Sequence, residues 1–377
     1  MIRVLNILDT VGSGGVERRR LSMAKLLDKS RFELKIICTN TKGGIADEIR
    51  ALGVEVIVIG DLNSPFDYKQ FQKVNRIITE FKPHIIHGAV FEGVTMAAIC
   101  GFVMRVPVVI IEETSDPQNR SWKGNMLMKF FGMLSDKAIG VSPAATEYLI
   151  HTLKIKAEKV QLILNGIAAP RKVSTEEITF LKESLGIGVS NIVIGSIGRM
   201  RDDNHKRFSD LIAAFALLVQ KKLPVKLVLV GDGQERERYE KQVADLQLND
   251  YVIFAGYQSD VALYYSIFNI FSLVSAYEAF GLVLAEAMLS KLPVVATKVG
   301  GMQYIVDDNV TGYLVEKFDI DAIAMKLEVL YENEQLRNEM GIAGYEKAIR
   351  NYTEERYVQK VEEIYFELIK KNKINNV

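Results

Sequence analysis

Residues 275–288 are the segment whose residue types and spacing are most suited to chemistry. A β-rich run ends just before this segment, a polar loop follows, and a helix is predicted to begin at Gly281. The backbone amides of Phe280, Gly281 and Leu282 are then unpaired at the positive end of a helix dipole. Such a turn suits an anion such as a phosphate group.

Two carboxylates accompany this turn. Glu286 lies inside the predicted helix among Leu284, Ala285 and Ala287, where a charge is costly unless hydrogen bonds reach it, and ligand hydroxyls can donate them. Glu278 precedes the helix and can reach the same space. The pair suits a ligand with both phosphate and hydroxyl groups, such as a nucleotide sugar; the alternative is a capped helix with Glu286 in a salt bridge.

Two cations follow a predicted strand at 192–197. Arg199 and Lys206 stand where that strand ends, and cations there can neutralise a diphosphate. A leaving diphosphate gains charge as its bond breaks, so such groups stabilise the transition state more than the ground state. The alternative is a solvated basic loop.

A glycine-rich stretch, 12–15, follows the first predicted strand. Gly14 and Gly15 let the backbone approach a ligand closely, but the stretch is not a dinucleotide fingerprint because Glu17 occupies the last glycine position of that motif. No acidic or histidine cluster has the spacing of a metal site, so the sequence predicts metal-independent chemistry.

The elements that must position these residues alternate between short β-rich runs and longer amphipathic stretches. The predicted strands cover 4–8, 34–38, 54–59, 85–87, 108–111, 138–141, 160–164, 192–197, 226–230, 252–254, 270–273, 294–296 and 313–315. The predicted helices include 16–28, 68–81, 143–153, 208–221, 234–246, 281–290 and 320–331. This alternation predicts an α/β fold with two Rossmann-like parallel-sheet domains, and ligands of such sheets bind beyond the carboxyl ends of the strands. We expect the two sheets to face each other across a cleft.

Composition narrows the function classes. The 377 residues contain 47 Lys and Arg against 47 Asp and Glu, and this balance disfavours a nucleic-acid partner. Cys38 and Cys100 are too few for a disulfide framework. The uncharged run 93–104 is shorter than the about 20 residues of a membrane-spanning helix, and the first residues do not resemble a signal peptide. We therefore expect a cytoplasmic protein.

Several motifs together resemble one family. The pair Glu278 and Glu286, with seven residues between them, lies in a stretch similar to the signature of retaining GT-B glycosyltransferases of family 4. The stretches 165–167, 198–206, 231–233, 293–296 and 300–301 follow in the family's order. The resemblance covers nearly the whole chain and is most specific in residues 195–315.

This resemblance implies a metal-independent hexosyltransferase that needs no cofactor and uses a UDP- or GDP-sugar as donor substrate. The acceptor would be a sugar or a lipid-linked sugar in cell-surface polysaccharide or glycolipid assembly. Residues 1–165, completed by a C-terminal helix in 354–377, would form the acceptor side. Residues 166–353 would form the donor side.

The resemblance also implies roles for single residues. Arg199 and Lys206 would hold the donor diphosphate, Glu286 would accept hydrogen bonds from the ribose, and Glu278 would contact the transferred sugar. The amides at Phe280, Gly281 and Leu282 would meet phosphate and sugar. Tyr257 would border the base, and Gly14 and Gly15 would line the cleft from the other lobe.

One position departs from the family pattern. Many members carry a histidine close to the anomeric carbon, and Glu113 stands in that place here. A carboxylate can polarise a hydroxyl or stabilise positive charge on the sugar, but its charge differs from that of a neutral imidazole. His87, at the end of another strand, is either a second candidate or a structural histidine.

Three further alternatives stay open. Residues 120–137 are apolar and basic, which suits either a helix resting on anionic lipid at the inner face of the cell membrane or a helix with its apolar stripe in the core. A nucleotide-sugar epimerase, or a non-catalytic nucleotide-sugar binding protein, can use the same scaffold. The donor base, the sugar, the acceptor and the oligomeric state are not readable from the sequence.

Overall fold

The computed structural model of the protein describes residues 1–12, 14–62, 64, 67–115, 120–201, 205–372 and 374. The chain forms two compact units, one from residues 1–168 and 352–377 and the other from 169–351. The chain passes from the first unit to the second after residue 168, whereas the sequence predicts this boundary at residue 165. The boundary is shifted because Ile167 pairs with the segment in which the chain returns to the first unit. Its amide donates to the carbonyl of Tyr352 at 2.8 Å, and its carbonyl accepts from the amide of Glu354 at 3.1 Å.

The strands of the described residues alternate with helices along the chain, as the sequence predicts. The strands are β1 (Ile2–Val11), β2 (Phe32–Thr41), β3 (Glu55–Val58), β4 (Ile85–Ala89), β5 (Val108–Glu113), β6 (Lys137–Gly140), β7 (Val160–Leu162), β8 (Ile192–Ile197), β9 (Val225–Val230), β10 (Val252–Gly256), β11 (Ile270–Leu273), β12 (Val294–Thr297) and β13 (Gly312–Val315).

The helices lie between and after these strands. They are α1 (Gly15–Leu26), α2 (Ile45–Ala51), α3 (Tyr68–Phe81), α4 (Val90–Val103), α5 (Trp122–Leu134), α6 (Pro143–Glu147), α7 (Thr175–Ser184), α8 (Phe208–Gln220), α9 (Arg236–Asp245), α10 (Val261–Ile267), α11 (Leu282–Leu289), α12 (Met302–Ile305), α13 (Ile320–Glu332), α14 (Glu334–Asn351) and α15 (Glu354–Lys371).

Most predicted helix ends lie within two residues of the observed ones, and two helices differ for reasons that the structure shows. The helix predicted over 143–153 is α-helical only to Glu147 and continues as a π-helical turn over Tyr148–Thr152. The amide of Leu153 there donates to the carbonyl of Tyr148, five residues back, at 3.0 Å. The helix predicted over 281–290 begins at Leu282, because Gly281 has a left-handed backbone and caps it.

The first unit is built on a parallel sheet in the order β3-β2-β1-β4-β5-β6-β7. Its central strands are buried on both faces, which is typical of parallel sheets covered by helices. Helices α1 and α15 pack on one face, where Tyr357, Val361 and Leu368 join the core. Helices α3 and α4 cover the other face. Helix α15 thus belongs to the first unit although it lies at the other end of the chain.

The second unit repeats this architecture with a parallel sheet in the order β10-β9-β8-β11-β12-β13. Helices α8, α9 and α13 share a core with its central strands. The predicted fold class, two Rossmann-like α/β units with parallel sheets, is confirmed. Over the described residues, no helix has both the length and the apolar character that crossing a bilayer requires.

Candidate active site

The order of the second sheet places a crevice beside β8 and β11. After β8 the chain proceeds to β9 and β10 on one side, and after β11 it proceeds to β12 and β13 on the other. The loops that leave β8 and β11 therefore diverge at the carboxyl edge of the sheet, which is where open α/β sheets bind ligands. The predicted cations follow β8, and the predicted carboxylates follow β11.

Lys206 and Glu278 meet at this crevice. The ammonium of Lys206 donates to Oε2 of Glu278 at 2.5 Å, and both side chains are only 20% exposed. The two loops also join through their backbones, since the carbonyl of His205 accepts from the amide of Ala276 at 2.7 Å. An anion that enters the crevice would compete with Glu278 for the ammonium group.

Arg199 follows Gly198, a residue that lies against the side chain of Lys206. A Cβ atom on Gly198 would lie 3.3 Å from Cγ and Cδ of Lys206, so the lysine side chain crosses the residue that precedes Arg199. Arg199 itself is exposed, and among the described residues no carboxylate pairs with it. The structure therefore places the Lys206 side chain beside the backbone that leads into Arg199 and leaves the Arg199 side chain exposed.

The N-terminus of α11 opens beside Glu278. Gly281 has φ +99°, a conformation that disfavours side chains, and a Cβ there would lie 3.1 Å from Cγ of Met302. Helix geometry leaves the amides of Leu282 and Val283 without an acceptor inside α11. Phe280 is 3% exposed and fixes the turn in the core. The turn that the sequence predicts before α11 is thus present, and its role in binding an anion stays a prediction.

Glu286 lies one turn into α11 and is half-buried. Its Oε2 accepts a hydrogen bond from the hydroxyl of Tyr265 at 2.9 Å. Among the described residues its partner is thus this phenol, and not the cation of the salt-bridge alternative. Sequence reasoning missed Tyr265, because nothing in α10 marks a tyrosine that will reach a neighbouring helix.

The loop that bears Glu278 is hydrogen-bonded to the end of β12 and to the chain that follows this strand. The amide of Gly301 donates to the carbonyl of Glu278 at 2.9 Å, and a Cβ on Gly301 would lie 2.3 Å from the carbonyl oxygen of Ala279. The hydroxyl of Thr297 donates to the carbonyl of Ser275 at 2.5 Å. These contacts hold the loop from the side opposite Lys206.

Tyr257 lies farther from this cluster, after the edge strand β10. Its side chain is 65% exposed. The turn before it is linked to the crevice stepwise: the amide of Gly231 donates to the carbonyl of Gly256 at 2.8 Å, and Gly231 lies against the carbonyl of Gly198. Tyr257 is therefore on the same edge of the sheet but does not join the Lys206–Glu278 pair.

In the first unit, Gly14 and Gly15 stand where α1 begins, at the carboxyl edge beside β1 and β4, the point where that sheet changes direction. The carboxylate of Glu17 folds back over this turn, and a Cβ on Gly14 would lie 2.6 Å from its Oε2. The helix terminus thus already has an anion from its own first turn, which a ligand phosphate would have to displace.

Glu113 is not a free carboxylate. It is 2% exposed, and both of its oxygens pair with Arg120, whose Nη2 lies 3.0 Å from Oε1. The amide and hydroxyl of Ser115 donate to the same Oε1 at 3.0 and 2.6 Å. These bonds engage the carboxylate in holding the chain after β5, which argues against its predicted role beside the sugar.

His87 is a structural histidine. It is fully buried, its Nδ1 lies 2.8 Å from the hydroxyl of Tyr365, and its Nε2 lies 3.4 Å from Oε2 of Glu112. Burial lowers the pKa of its imidazole, an effect that the nearby Arg20 reinforces and Glu112 opposes. Of the two readings that the sequence left open, the structure shows the structural one.

A buried charge cluster that the sequence did not predict surrounds His87. Nη2 of Arg20 donates to Oε2 of Glu112 at 2.6 Å, and Arg19 lies 3.5 Å from Oε1 of the same carboxylate. Burial alone would raise the pKa of Glu112, but Arg20, with His87 and Arg19, holds it well below its usual value. Nη1 of Arg20 also donates to the hydroxyl of Tyr357 at 3.0 Å, which ties α1 to α15.

The side chains that ordinarily coordinate metal ions are not brought together in the described part of the chain. No group of three or more His, Cys, Asp or Glu side chains there is close enough to hold an ion. Cys38 and Cys100 are buried and free. Burial raises the pKa of the Cys38 thiol to about 11 and that of Cys100 to about 12, so neither is a ready nucleophile.

Comparison with known families covers most of the chain. Residues 177–347 match the family described as "Glycosyl transferases group 1", and residues 13–170 match "Glycosyltransferase Family 4". The crystal structure of HepE from Anabaena in complex with UDP-glucose superimposes with a TM-score of 0.86 at 23% identity, over 97% of this chain and 100% of that one. The chain therefore has the GT-B fold, and each of its two units matches a glycosyltransferase domain family.

Two curated glycosyltransferase relatives differ in how far they match. N-acetyl-alpha-D-glucosaminyl L-malate synthase from Bacillus anthracis is 32% identical over 66% of this chain and 64% of that protein. The alignment therefore spans less than two thirds of that relative. UDP-Gal:alpha-D-GlcNAc-diphosphoundecaprenol alpha-1,3-galactosyltransferase from Escherichia coli is 22% identical over 94% of both chains. With this second relative the likeness extends over nearly the whole length, at low identity.

Proposed function

We propose that this GT-B chain is a retaining, metal-independent hexosyltransferase of family 4. It would move a sugar from a UDP- or GDP-sugar to a hydroxyl of a sugar or lipid-linked acceptor. The observation that carries this proposal is the Lys206–Glu278 ion pair beside the N-terminus of α11, in the crevice of the second sheet, with the exposed Arg199 on the same loop as Lys206. In this proposal the cations of Lys206 and Arg199, the amides at the start of α11 and the carboxylate of Glu278 all border the binding site of the donor.

In this proposal the diphosphate replaces Glu278 as the partner of Lys206. Its oxygens would also accept from Arg199 and from the amides of Gly281 and Leu282. The charge that develops on the leaving diphosphate strengthens these bonds in the transition state, which is where they lower the barrier. The chain's own cations would thus do what a divalent ion does in other transferases, and this supports metal independence.

The released Glu278 and the fixed Glu286 would then bind hydroxyls. Glu278 lies beside Lys206. It would contact the transferred sugar once the ammonium of Lys206 donates its hydrogen bonds to the diphosphate of the donor and no longer to Glu278. Glu286 keeps one oxygen on Tyr265, so its carboxylate is held in one orientation, and it would accept from the ribose. Phe280 would support the turn between them, and Tyr257 would border the base.

The setting of the reaction follows the names of the relatives. The Escherichia coli relative is named for an undecaprenol-linked acceptor, and a Staphylococcus aureus relative, 25% identical over 81% of this chain, is named for capsular polysaccharide biosynthesis. We therefore propose cell-surface polysaccharide or glycolipid assembly from the cytoplasmic side. Residues 1–168 would hold the acceptor and 169–351 the donor.

Two measurements test this function. Calorimetry with UDP, GDP and ADP is expected to give binding by one of the first two. Incubation of the matching nucleotide sugar with a panel of sugar and undecaprenol-linked acceptors is expected to give a product with the anomeric configuration of the donor, read by the NMR coupling constant, and an undiminished rate in EDTA.

Each failure has a distinct meaning. A new sugar nucleotide formed without any acceptor would identify an epimerase instead. Tight nucleotide binding with neither transfer nor hydrolysis across the panel would identify a binding protein. An inverted product would refute retention, and a rate that EDTA abolishes and Mg²⁺ restores would refute metal independence.

Gly281→Ala tests the turn at α11. Alanine at φ +99° is strained by about 1–2 kcal/mol, and its methyl group would press on Met302 and displace the first amides of the helix. We expect calorimetry to show at least about 10-fold weaker binding of the preferred nucleotide, the effect of one lost charge-assisted hydrogen bond.

Gly186→Ala is the matched control. Gly186 has φ +63° in the same unit, and a Cβ there meets nothing within 4 Å. This variant should lose a similar amount of stability and keep the nucleotide affinity. Equal affinities in both variants would mean that the N-terminus of α11 does not hold the nucleotide.

A further inference from the structure

The residues that precede Lys206 and Glu278 in the chain also contact each other. The ring centres of His205 and Tyr277 lie 5.6 Å apart, and the two rings are tilted by 56°. The carbonyl of His205 accepts from the amide of Ala276 at 2.7 Å. The ion pair of the crevice is therefore the last of three consecutive contacts between the loops after β8 and β11.

A cation from the chain after β13 also lies against Tyr277. The ammonium of Lys317 is 5.2 Å from the ring centre of Tyr277 and 5.5 Å from that of Phe318. The guanidinium of Arg207, which follows Lys206, lies 5.0 Å from the Phe318 ring centre. Cations at such distances are attracted to the ring face. These contacts begin and end on the loop that bears Lys206. They define a cation–aromatic cluster of five residues, namely His205, Arg207, Tyr277, Lys317 and Phe318.

The backbone of Phe318 is unfavourable for its residue type. Its φ is +70°, in the left-handed region that glycine adopts without strain and phenylalanine rarely enters. The side chain is 51% exposed, so burial in the core accounts for only part of its placement. Strained residues persist where the surrounding structure requires them, and they concentrate at functional sites. The contacts with Arg207 and Lys317 give the Phe318 ring such a role.

The ring of Tyr277, and not its hydroxyl, makes the contacts of the cluster. In the part of the chain that the structure describes, this hydroxyl has no hydrogen-bond partner. Removing the hydroxyl therefore leaves the cluster intact, whereas removing the ring separates His205 from Lys317.

We propose that this cluster, with Tyr277 at its centre, positions Lys206 and Glu278 for the transfer reaction. It would fix the spacing of the two loops and so place the ammonium group for the leaving diphosphate. A misplacement of about 1 Å can cost about 100-fold in rate even when the substitution lies away from the reacting atoms. The inference rests on the proposed function, and it adds residues that act through Lys206 and Glu278 without touching the donor.

Tyr277→Ala is expected to lower kcat for sugar transfer at least about 10-fold, whereas Tyr277→Phe keeps the ring and should stay within about twofold of the wild type. The matched control is Tyr345→Ala. The ammonium of Lys291 lies 4.9 Å from the Tyr345 ring centre, and Lys291 follows the C-terminal end of α11, away from the crevice. This variant loses a contact of the same kind in the same unit, and its kcat should stay within about twofold.

A combined variant shows whether Tyr277 acts through the ion pair. In protein that carries Lys206→Ala and Glu278→Gln, adding Tyr277→Ala should change the remaining kcat by less than about twofold, because the groups that the ring positions are gone. An excess of enzyme over donor keeps this slow rate measurable. A residue that touched the substrate would keep its full effect in this background, which would overturn the proposal. A loss of rate in Tyr277→Phe would also overturn it, since the hydroxyl would then be the active group.

Phe318→Gly tests the cluster at a side chain whose loss the fold tolerates. Glycine adopts φ +70° without strain, so relief of the backbone offsets the lost contacts and the melting temperature should change little. The kcat value should fall about fivefold or more, because two cation–ring contacts are removed. A purely structural role would leave the rate of an equally stable protein unchanged. A wild-type kcat in either Phe318→Gly or Tyr277→Ala would overturn the proposal.

Hydrogen exchange tests the cluster without any substrate. The carbonyl of His205 protects the amide of Ala276, and Tyr277→Ala should raise the exchange rate of that amide at least about 10-fold, as read by NMR. Tyr277→Phe should leave it unchanged. Equal exchange in Tyr277→Ala and the wild type would overturn the positioning role. Faster exchange in Tyr277→Ala, together with a wild type that transfers no sugar, would refute the proposed function and leave the loop contact standing, so the two failures are distinguishable.

Discussion

Lys206→Ala is expected to lower kcat for sugar transfer by about 100- to 1,000-fold, the effect of removing one preorganised group from developing charge. The ammonium lies 2.5 Å from Glu278 in the ligand-free crevice, and the variant leaves that carboxylate facing the incoming diphosphate. We therefore expect KM for the donor to rise as well. Steady-state kinetics with saturating acceptor give both constants.

A second substitution separates the effect of Lys206→Ala on kcat from its effect on KM. Adding Glu278→Gln to Lys206→Ala removes the repulsive charge, so KM should fall back toward the wild-type value. The kcat value should not recover, because no cation has been restored. Arg199→Ala should lower kcat on the same scale while leaving Glu278 paired.

The matched control for both is Arg201→Ala. Arg201 is exposed and lies in the same loop, two residues after Arg199, so its loss changes the net charge of the loop equally. Its kcat should stay within about twofold of the wild type, as for ordinary surface substitutions. If Lys206→Ala also transferred sugar at that rate, the diphosphate would not be held at this crevice.

The sequence predicted the fold because the signals for a parallel α/β architecture are local. The bounds 68–81 and 192–197 predicted for α3 and β8 agree with the structure, and α15 lies inside the range 354–377 given for a C-terminal helix. Residues Asp67 and Thr353 cap α3 and α15 with their side chains, and such caps mark helix starts in the sequence. Strand ends in turn located the candidate groups, since ligands gather at the carboxyl edge of these sheets.

The contacts inside the site were less accessible to the sequence. Lys206 and Glu278 lie 72 residues apart, and the sequence placed each at a strand end without pairing them. Their meeting depends on β8 and β11 being neighbours, which only the strand order reveals. The support of Glu286 by Tyr265 has no sequence signal, because a tyrosine in an amphipathic helix is ordinarily a core residue.

Glu113 illustrates a different limit. It and Glu112 end the same buried strand, and side chains alternate between the two faces of a sheet. Glu112 therefore reaches Arg20, whereas Glu113 reaches Arg120 on the other side. Two carboxylates in a strand buried on both faces signal that each needs a cation, but the sequence does not say which of the chain's many arginines will supply it.

Arg20→Met is expected to lower the free energy of unfolding by about 3–5 kcal/mol, because it leaves Glu112 buried with an incomplete set of partners. The side chains of Arg20 and Glu112 are 0% and 1% exposed, so water cannot replace the guanidinium. Denaturant unfolding at neutral pH measures the loss. Arg76→Met is the matched control, since the Arg76–Glu80 pair is 83% and 65% exposed and such pairs contribute about 0–1 kcal/mol.

The pH dependence of this variant provides a second test of the same cluster. In the wild type the pKa of Glu112 is held low, so its contribution to stability is present above the ordinary carboxyl pKa and is lost as the pH falls through the lowered one. The pKa of His87 is also lowered, by burial first, so stability begins to fall below about 6.5, the ordinary histidine value. Wild-type stability should therefore decline steadily on acidification.

Without Arg20 the carboxyl group of Glu112 loses its strongest cation, so burial then raises its pKa, and protonation relieves the uncompensated charge. The difference in unfolding free energy between wild type and Arg20→Met should therefore be largest near neutral pH and narrow below the ordinary carboxyl range. Arg20→Met with Glu112→Gln should already be more stable than Arg20→Met at neutral pH, since it carries no unpaired carboxylate. A difference that stays constant from neutral to acidic pH would mean that Arg20 stabilises α1 through its packing alone, and not through the charge of Glu112.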